Sequence, residues 1–294
     1  MSEINRATVY IVATPIGTLS DCSQHARDIL AQVDFIACED TRRTKELLQA
    51  LSIPQVQLIS LHEHNEETKC VHLIERLQNS QNKRAALVSD AGTPAISDPG
   101  AFFINACHLN GIKIENIPGP SSLVCALASS GFIQPRTVFS GFISRNSKDQ
   151  REEFKRWLAV APCIAACFES PNRVQSTLKN AADFFPADTQ VCLSREISKK
   201  FEEHLRMSII ELAEHLANDN NLRGECILTF NLTAAMEMVN DTIVKDFDTI
   251  VNEVSSQLIA SPELHLKEVI REYAKNNGIN QKELYNAILA RRKL

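Results

Sequence analysis

The chain has 294 residues, 44% of them hydrophobic and 23% charged, with 31 Lys and Arg against 36 Asp and Glu for a net charge of −5. That length predicts two domains with room for a small appendix, and the composition excludes collagen-like, disordered and mini-protein classes. No apolar run reaches the roughly 18 residues of a membrane span, the polar lead before Thr8 is unlike a secretory leader, and the acidic balance argues against a protein that coats nucleic acid non-specifically, while leaving a local basic patch open.

Short apolar runs alternate with amphipathic segments through the first 130 residues. Strands are predicted at Thr8–Ala13, Val33–Cys38, Val56–Leu61, Ala85–Ser89 and Ile112–Ile117. Helices are predicted at Cys22–Gln32, Thr44–Leu51, Glu66–Gln78, Pro99–Leu109 and Ser122–Ser130. This alternation predicts an α/β fold, a mostly parallel sheet covered by helices. The pattern loosens after Gly131. Val138–Gly141, Ile164–Phe168, Thr189–Ser194 and Glu225–Phe230 read as strands; a helix from about Arg151, Pro171–Phe184 and Ile209–Leu216 read as helices. Ser170 before Pro171 is a cap-then-proline helix start. From about Thr233 the periodicity is helical throughout: Thr242–Ala260, Leu264–Asn276 and Gln281–Ala290, with Gly278 suited to a turn. The expected organisation is an N-terminal α/β domain over 1–132, a second α/β domain over 133–232, and a helical, helix-turn-helix-like domain over 233–294.

Three Gly/Pro-rich loops follow predicted strands: Ala13–Asp21, Ser89–Gly100 and Pro118–Ser122. They hold four of the nine glycines, Gly17, Gly92, Gly100 and Gly119. In a parallel sheet such loops gather at the carboxyl ends of the strands, where ligands bind, so a cofactor cleft is expected there. The loops do not name the cofactor. No G-x-G-x-x-G follows a strand, no phosphate-binding P-loop occurs, and no metal-ligand spacing such as H-E-x-x-H is present. His62-Glu63-His64 reads as a polar loop rather than a ligand cluster. The nine cysteines are scattered without a C-x-x-C pair, which predicts reduced thiols and a cytoplasmic protein.

Glu39-Asp40-Thr41-Arg42 closes the second strand. Its carboxylates are candidates to orient a substrate or accept a proton; equally, Asp40 or Thr41 suits a helix cap. Arg42 stands close enough to Glu39 to hold its carboxylate charged. Glu169-Ser170-Pro171-Asn172-Arg173 repeats the pattern in the second unit. Basic residues cluster at Arg42, Arg43 and Lys45, at Arg145, Lys148, Arg151, Lys155 and Arg156 beside Trp157, and at Lys199 and Lys200. Such runs are usually solvated faces, but near loops they also suit phosphate contacts.

The strings VATPIGTLSD, CEDTRRTKELL, SLHEHNE, SDAGTPAISDPG, IPGPSS, FESPNRV, SREISKKFEE and RGECIL, spread from about Val12 to Leu228, resemble the bacterial 16S ribosomal RNA (cytidine-2′-O)-methyltransferases of the tetrapyrrole methylase superfamily. Two departures stand out. Thr18 replaces an expected Asn, and Ile197-Ser198 replaces Leu-Thr. The resemblance implies two α/β domains with S-adenosylmethionine in the cleft between them, a homodimer, and methylation of a cytidine ribose in the decoding region of 16S ribosomal RNA within the small subunit. It also implies that Pro15, Asp90, Thr93, Ser121 and Ser122 line the cofactor site, closed by Phe168, Gly224 and Glu225. Glu39, Asp40 and Glu169 are then the candidate catalytic groups, and Arg42, Arg43, Arg145, Lys148, Arg151, Lys155 and Arg156 the candidate RNA contacts; no metal is required. Two alternatives fit the same residues: a tetrapyrrole C-methyltransferase of the same fold, and a nucleic-acid-binding regulator acting through the C-terminal helices. The tail from Asp241 carries eight acidic and eight basic residues, which argues against strong independent binding to a polyanion.

Overall fold

A computed structural model describes residues 7–217, 222–232, 247–260, 265–277 and 280–291. The chain divides into two compact units, Met1–Ala235 and Met236–Leu294. The junction expected at residue 233, the segment 242–246, the turn at Gly278 and the basic residues Arg292 and Lys293 lie outside the described residues.

The first unit contains two five-stranded sheets. The N-terminal one holds β1 (Thr8–Val12), β2 (Phe35–Cys38), β3 (Gln57–Ser60), β4 (Arg84–Val88) and β5 (Lys113–Ile117). Their order is β3-β2-β4-β1-β5, and every pairing is parallel. The strands pack both faces, which is why they read as unbroken apolar runs. Val9, Phe35, Ala85 and Leu87 meet one helical layer, formed by α3 (Glu66–Asn79) and α4 (Ala101–Leu109). Tyr10, Val12, Ile36, Cys38 and Val88 meet the other, formed by α1 (Gln24–Gln32) and α2 (Thr41–Ala50). The two edge strands β3 and β5 are only partly buried.

Local chemistry sets the helix ends. Ser23 caps α1 by accepting from Ala26 N at 3.1 Å, and Asp40 caps α2 by accepting from Arg42 N at 2.8 Å. The start of α4 is capped from a distance. The carboxylate of Glu66, on α3 and only 4% exposed, accepts from Gly100 N at 2.9 Å and Phe103 N at 3.1 Å. Two orphan helix donors are thereby satisfied by one buried anion.

The second sheet holds β6 (Thr137–Phe142), β7 (Ile164–Glu169), β8 (Gln190–Arg195), β9 (Glu203–Ser208) and β10 (Cys226–Asn231), in the order β6-β7-β10-β8-β9. Only β6 and β7 run parallel. Strand β9 has no counterpart in the sequence reading. Its residues EHLRMS are half-buried at a sheet edge and lack the apolar run that announces an interior strand. Three helices, α6 (Ser147–Ala159), α7 (Pro171–Ala182) and α8 (Ile209–Ala217), cover one face around an aromatic cluster of Phe154, Trp157, Phe185 and Phe230. Helix α6 begins four residues before the expected start, because Asn146 caps it by accepting from Lys148 N at 2.8 Å. The other face meets α5 (Ser122–Ser130), which ends on Gly131 in a left-handed cap. Ala126 of α5 packs with Ile16, Ile197 and Ile227, so one small core joins the two sheets.

The C-terminal unit is a three-helix assembly: α9 (Phe247–Ala260), α10 (Leu266–Asn277) and α11 (Gln281–Arg291). Ile250, Val254, Leu258, Ile270, Leu284 and Ile288 form its own core.

Candidate active site

The three Gly/Pro-rich loops meet at the carboxyl ends of β1, β4 and β5. Thr14 and Gly92 exchange both backbone hydrogen bonds, at 2.9 and 3.0 Å. Thr93 Oγ1 donates to Pro120 O at 3.1 Å, and Thr14 Oγ1 donates to Ser89 O at 3.3 Å. These bonds fuse three turns from distant parts of the chain into one wall. The opposite wall comes from the second sheet: Phe142, Phe168, Ile197 and the Gly224–Ile227 strand entry. Between them lies a cleft of about 500 Å³, within the range of small-molecule sites.

Most residues expected at a cofactor site line this cleft: Asp90, Thr93, Ser121, Ser122, Phe168, Gly224 and Glu225. Glu39 and Glu169 line it as well. Pro15 does not; it is buried behind the wall, and its neighbour Ile16 is the lining residue. Phe168 is held between Phe139 and Phe142, with ring centroids 5.0 and 5.3 Å away. Gly224 has a backbone φ of +91°, and a Cβ there would fall 2.2 Å from Glu196 Oε1. Only glycine serves at this strand entry, which explains the RGE string. Glu196 in turn accepts from Glu225 N and pairs with Lys199, each at 3.1 Å.

The carboxylates differ sharply in their surroundings. Asp40 is the cap of α2, and Arg42 binds both of its oxygens, at 3.2 and 2.8 Å. Those bonds hold its carboxyl down at about 2. Arg42 therefore serves Asp40 and not Glu39, contrary to the expectation from spacing. Glu39 instead has its pKa raised, chiefly by burial and then by the charge of Asp90, with Arg43 opposing. Asp90 accepts from Asp40 N at 3.1 Å and pairs with Arg43 at 3.3 Å. Glu169 is fully engaged: Arg173 pairs with it at 2.5 Å, Thr177 Oγ1 donates at 2.6 Å and Ser170 N at 2.7 Å. It is 2% exposed, so its oxygens serve the start of α7.

Asp98 escaped the sequence reading although it lies in the string ISDPG. It lines the cleft, bonds Ser89, and has its pKa pushed up to about 6 by burial, with the charges of Glu39, Asp90 and Glu225 adding. The backbone just before it, at Ala95 and Ser97, has positive φ values of 65° and 62°. Strained positions of this kind persist where the surrounding structure holds them, and their only sequence signal was the crowding of Gly and Pro around them.

A second, open recess of about 550 Å³ adjoins the cleft. Glu39, Asp40, Arg42, Arg43, Ser60 and Asp90 line it, and Glu39, Arg43 and Asp90 face both spaces. The largest basic cluster is elsewhere. Arg145, Lys148, Arg151, Lys155 and Arg156 are exposed on or beside α6, where Lys155 pairs with Glu152 at 2.8 Å and Arg156 with Glu153 at 2.7 Å. Trp157 points into the core, fully buried, its Nε1 donating to Ser140 Oγ at 2.8 Å. It offers no stacking surface beside those cations.

A parallel sheet whose Gly/Pro loops face a mixed sheet across one cleft is the architecture of the tetrapyrrole methylases. Residues 8–213 match the family of Tetrapyrrole (Corrin/Porphyrin) Methylases. The solved uroporphyrin-III C-methyl transferase from Thermus thermophilus, complexed with S-adenyl homocysteine, superposes with a TM-score of 0.52 at 16% identity, over 76% of this chain and 97% of that one. A ribosomal RNA small subunit methyltransferase I from Escherichia coli O157:H7 is 33% identical over 98% of this chain and 96% of its own length. The protein of that name from Vibrio cholerae serotype O1 is 40% identical over 75% of each chain. The chain belongs to the ribosomal RNA small subunit methyltransferase I family.

Proposed function

We propose that the protein transfers a methyl group from S-adenosylmethionine to the ribose 2′-hydroxyl of a cytidine in the decoding region of 16S ribosomal RNA, acting on the small subunit as a cytoplasmic homodimer. The observation that carries this reading is the relationship to small-subunit methyltransferases over nearly the whole chain, C-terminal unit included. No tetrapyrrole enzyme among the structural relatives described above approaches that identity. The dimer rests on the family resemblance and is tested by sedimentation.

The cleft fits the cofactor. Ile16, Phe142, Phe168, Ile197 and Ile227 offer an apolar wall for an adenosine, while Glu39, Asp90 and Asp98 face a single Arg43 and Glu225 pairs with Lys199 at 3.1 Å. That excess of carboxylates suits a ligand bearing cationic centres. Asp90, Asp98, Thr93, Ser121 and Ser122 would hold its polar groups. S-adenosylmethionine supplies, when bound, a methyl group on a sulfonium, whose loss leaves a neutral thioether.

The protein's task is then mainly positioning, which can account for roughly 7–11 kcal/mol of barrier lowering. The 2′-oxygen forms the new C–O bond and gives up its proton. Glu39 takes that proton in this reading: it faces both the cleft and the recess, and its raised pKa makes it a better acceptor than an ordinary carboxylate. Arg42 and Arg43 at the recess, and the cations of α6, supply the RNA contacts.

The test is transfer of labelled methyl from S-adenosylmethionine to small subunits from a strain lacking this modification, with a porphyrinogen in parallel. One ribose-methylated cytidine per subunit is expected. Methylation of the macrocycle with none on the RNA would overturn the reading.

A further inference from the structure

Methyl transfer to RNA brings two reactants into contact, and the protein has two adjoining spaces. The cleft is amphipathic. The recess beside it is walled almost wholly by charged and hydroxyl groups. A methyl acceptor must come to near-attack distance of the donor, so the reaction belongs at the wall the two spaces share, that of Glu39, Arg43 and Asp90.

We propose that the recess receives the base of the target nucleotide and that Arg43 is the residue that reads it as cytosine. This rests on the function proposed above. Three carboxylates, Glu39, Asp40 and Asp90, face the recess against two guanidiniums, those of Arg42 and Arg43. The balance disfavours a phosphate and favours a neutral group that both donates and accepts hydrogen bonds. The two guanidiniums are not equivalent. Arg42 gives the Nε–Nη2 edge of its guanidinium, the edge suited to a planar fork, to Asp40. Arg43 touches Asp90 through Nη1 alone, at 3.3 Å, and its side chain is 68% exposed. Its position is set by that carboxylate, which is itself held by Asp40 N. Most of its five donors remain for a ligand.

The Watson–Crick edge of cytosine presents two adjacent acceptors, O2 and N3, beside an amino donor. A guanidinium fork matches the acceptors, and a recess carboxylate accepts from the amino group. Uracil puts an N–H where cytosine has the N3 acceptor, so it would set a donor against the fork. The openness of the recess to solvent suits one base of a long chain whose neighbours must leave the site.

The experiment compares small subunits carrying the target cytidine with subunits carrying uridine there, using wild type, Arg43→Ala and Arg43→Lys. Single-turnover methylation, binding of S-adenosylhomocysteine and thermal unfolding are measured for each. Wild type is expected to prefer cytidine. Arg43→Ala should lower the rate constant per enzyme concentration on cytidine subunits about 5- to 150-fold, the range for one bidentate base contact. The loss on uridine subunits, which reports only the effect of Arg43 on Asp90 and Glu39, should be smaller, so that discrimination collapses, with the melting temperature nearly unchanged. Arg43→Lys should not restore it, because the charge returns without the fork. Rescue by Lys with an unchanged cytidine-to-uridine ratio would mean a phosphate contact and overturn the proposal, as would equal losses on both substrates or a wild type indifferent to the base. A wild type that methylates neither kind of subunit would instead sink the function on which this rests.

Discussion

Thr18 and Ser198, 180 residues apart, bond each other twice: Thr18 N donates to Ser198 Oγ at 3.1 Å, and Thr18 Oγ1 donates to Ser198 O at 2.7 Å. Ser198 Oγ also donates to Asp21 Oδ2 at 2.5 Å. The contact ties the loop after β1 to the turn after β8, beside the cleft residues Ile16 and Ile197. Gly17 makes the approach possible, since a Cβ there would lie 2.4 Å from Ser198 O.

Thr18→Val keeps the shape and removes one donor. A net hydrogen bond is worth about 0.5–1.5 kcal/mol, so cofactor affinity should fall by roughly two- to tenfold with a small change in melting temperature. Calorimetry with S-adenosylhomocysteine checks this. Gly17→Ala should be far more damaging, because the backbone of residue 198 has to move. Unchanged affinity in both variants would confine the contact to fold stability.

Cofactor affinity should depend on pH through Asp98. Burial raises its pKa to about 6. A cationic ligand binds the ionised form better, so affinity should rise between about pH 5 and 7 and level off above. Folding stability moves the other way. The folded protein holds this proton at pH values where the unfolded chain, with an ordinary carboxyl, has lost it. The contribution is therefore full below the unfolded pKa and is lost as pH rises through about 6. Asp98→Asn should flatten both profiles. A retained affinity slope in Asp98→Asn would assign it to Glu39 instead.

Glu39→Gln should lower the single-turnover methylation rate with little change in cofactor or RNA affinity, because an interaction specific to the transition state is lost. The wild-type rate should also fall as the medium is acidified through the raised pKa of Glu39. Weakened binding with a normal rate at saturation would make Glu39 a positioning residue, and a wild-type rate with normal binding would remove it from the site.

Glu66→Ala should destabilise the first unit by about 1.5–3 kcal/mol, the range for a hydrogen bond to a charged group and for a buried donor left without one. The amides of Gly100 and Phe103 lose their acceptor. Glu66→Gln retains one carbonyl oxygen and should cost less. Urea midpoints compare the two variants; equal midpoints for wild type and Glu66→Ala would mean that water replaces the carboxylate freely.

Neutralising Arg151, Lys155 and Arg156 together should make the slope of log affinity against log salt shallower for the small-subunit substrate. The loss should be less than three full phosphate contacts, since Lys155 and Arg156 each carry a glutamate partner. An unchanged slope would leave α6 as a solvated face and place the phosphate contacts elsewhere.

Short-range chemistry is legible along the chain. The β-α alternation announced the parallel sheet, because strands buried on both faces need unbroken apolar runs. Ser122–Ser130 is predicted and observed with the same ends, set by a serine cap and a left-handed glycine. The Gly/Pro loops marked the cleft, because tight backbone approach demands those residues. Tertiary structure alone decided the rest. It gave Asp40 to Arg42 and left Glu39 to burial and Asp90, although all four residues sit within one short span or one strand end. It consumed Glu169 in a buried pair with Arg173, put Trp157 in the core rather than beside the exposed cations, and brought Asp98 to the cleft. Strand β9, whose half-buried residues show no apolar run, was recognisable only from its pairing with β8. A carboxylate's role depends on which charges and donors surround it in space, and contacts such as Thr18 with Ser198 exist only after the chain has closed on itself.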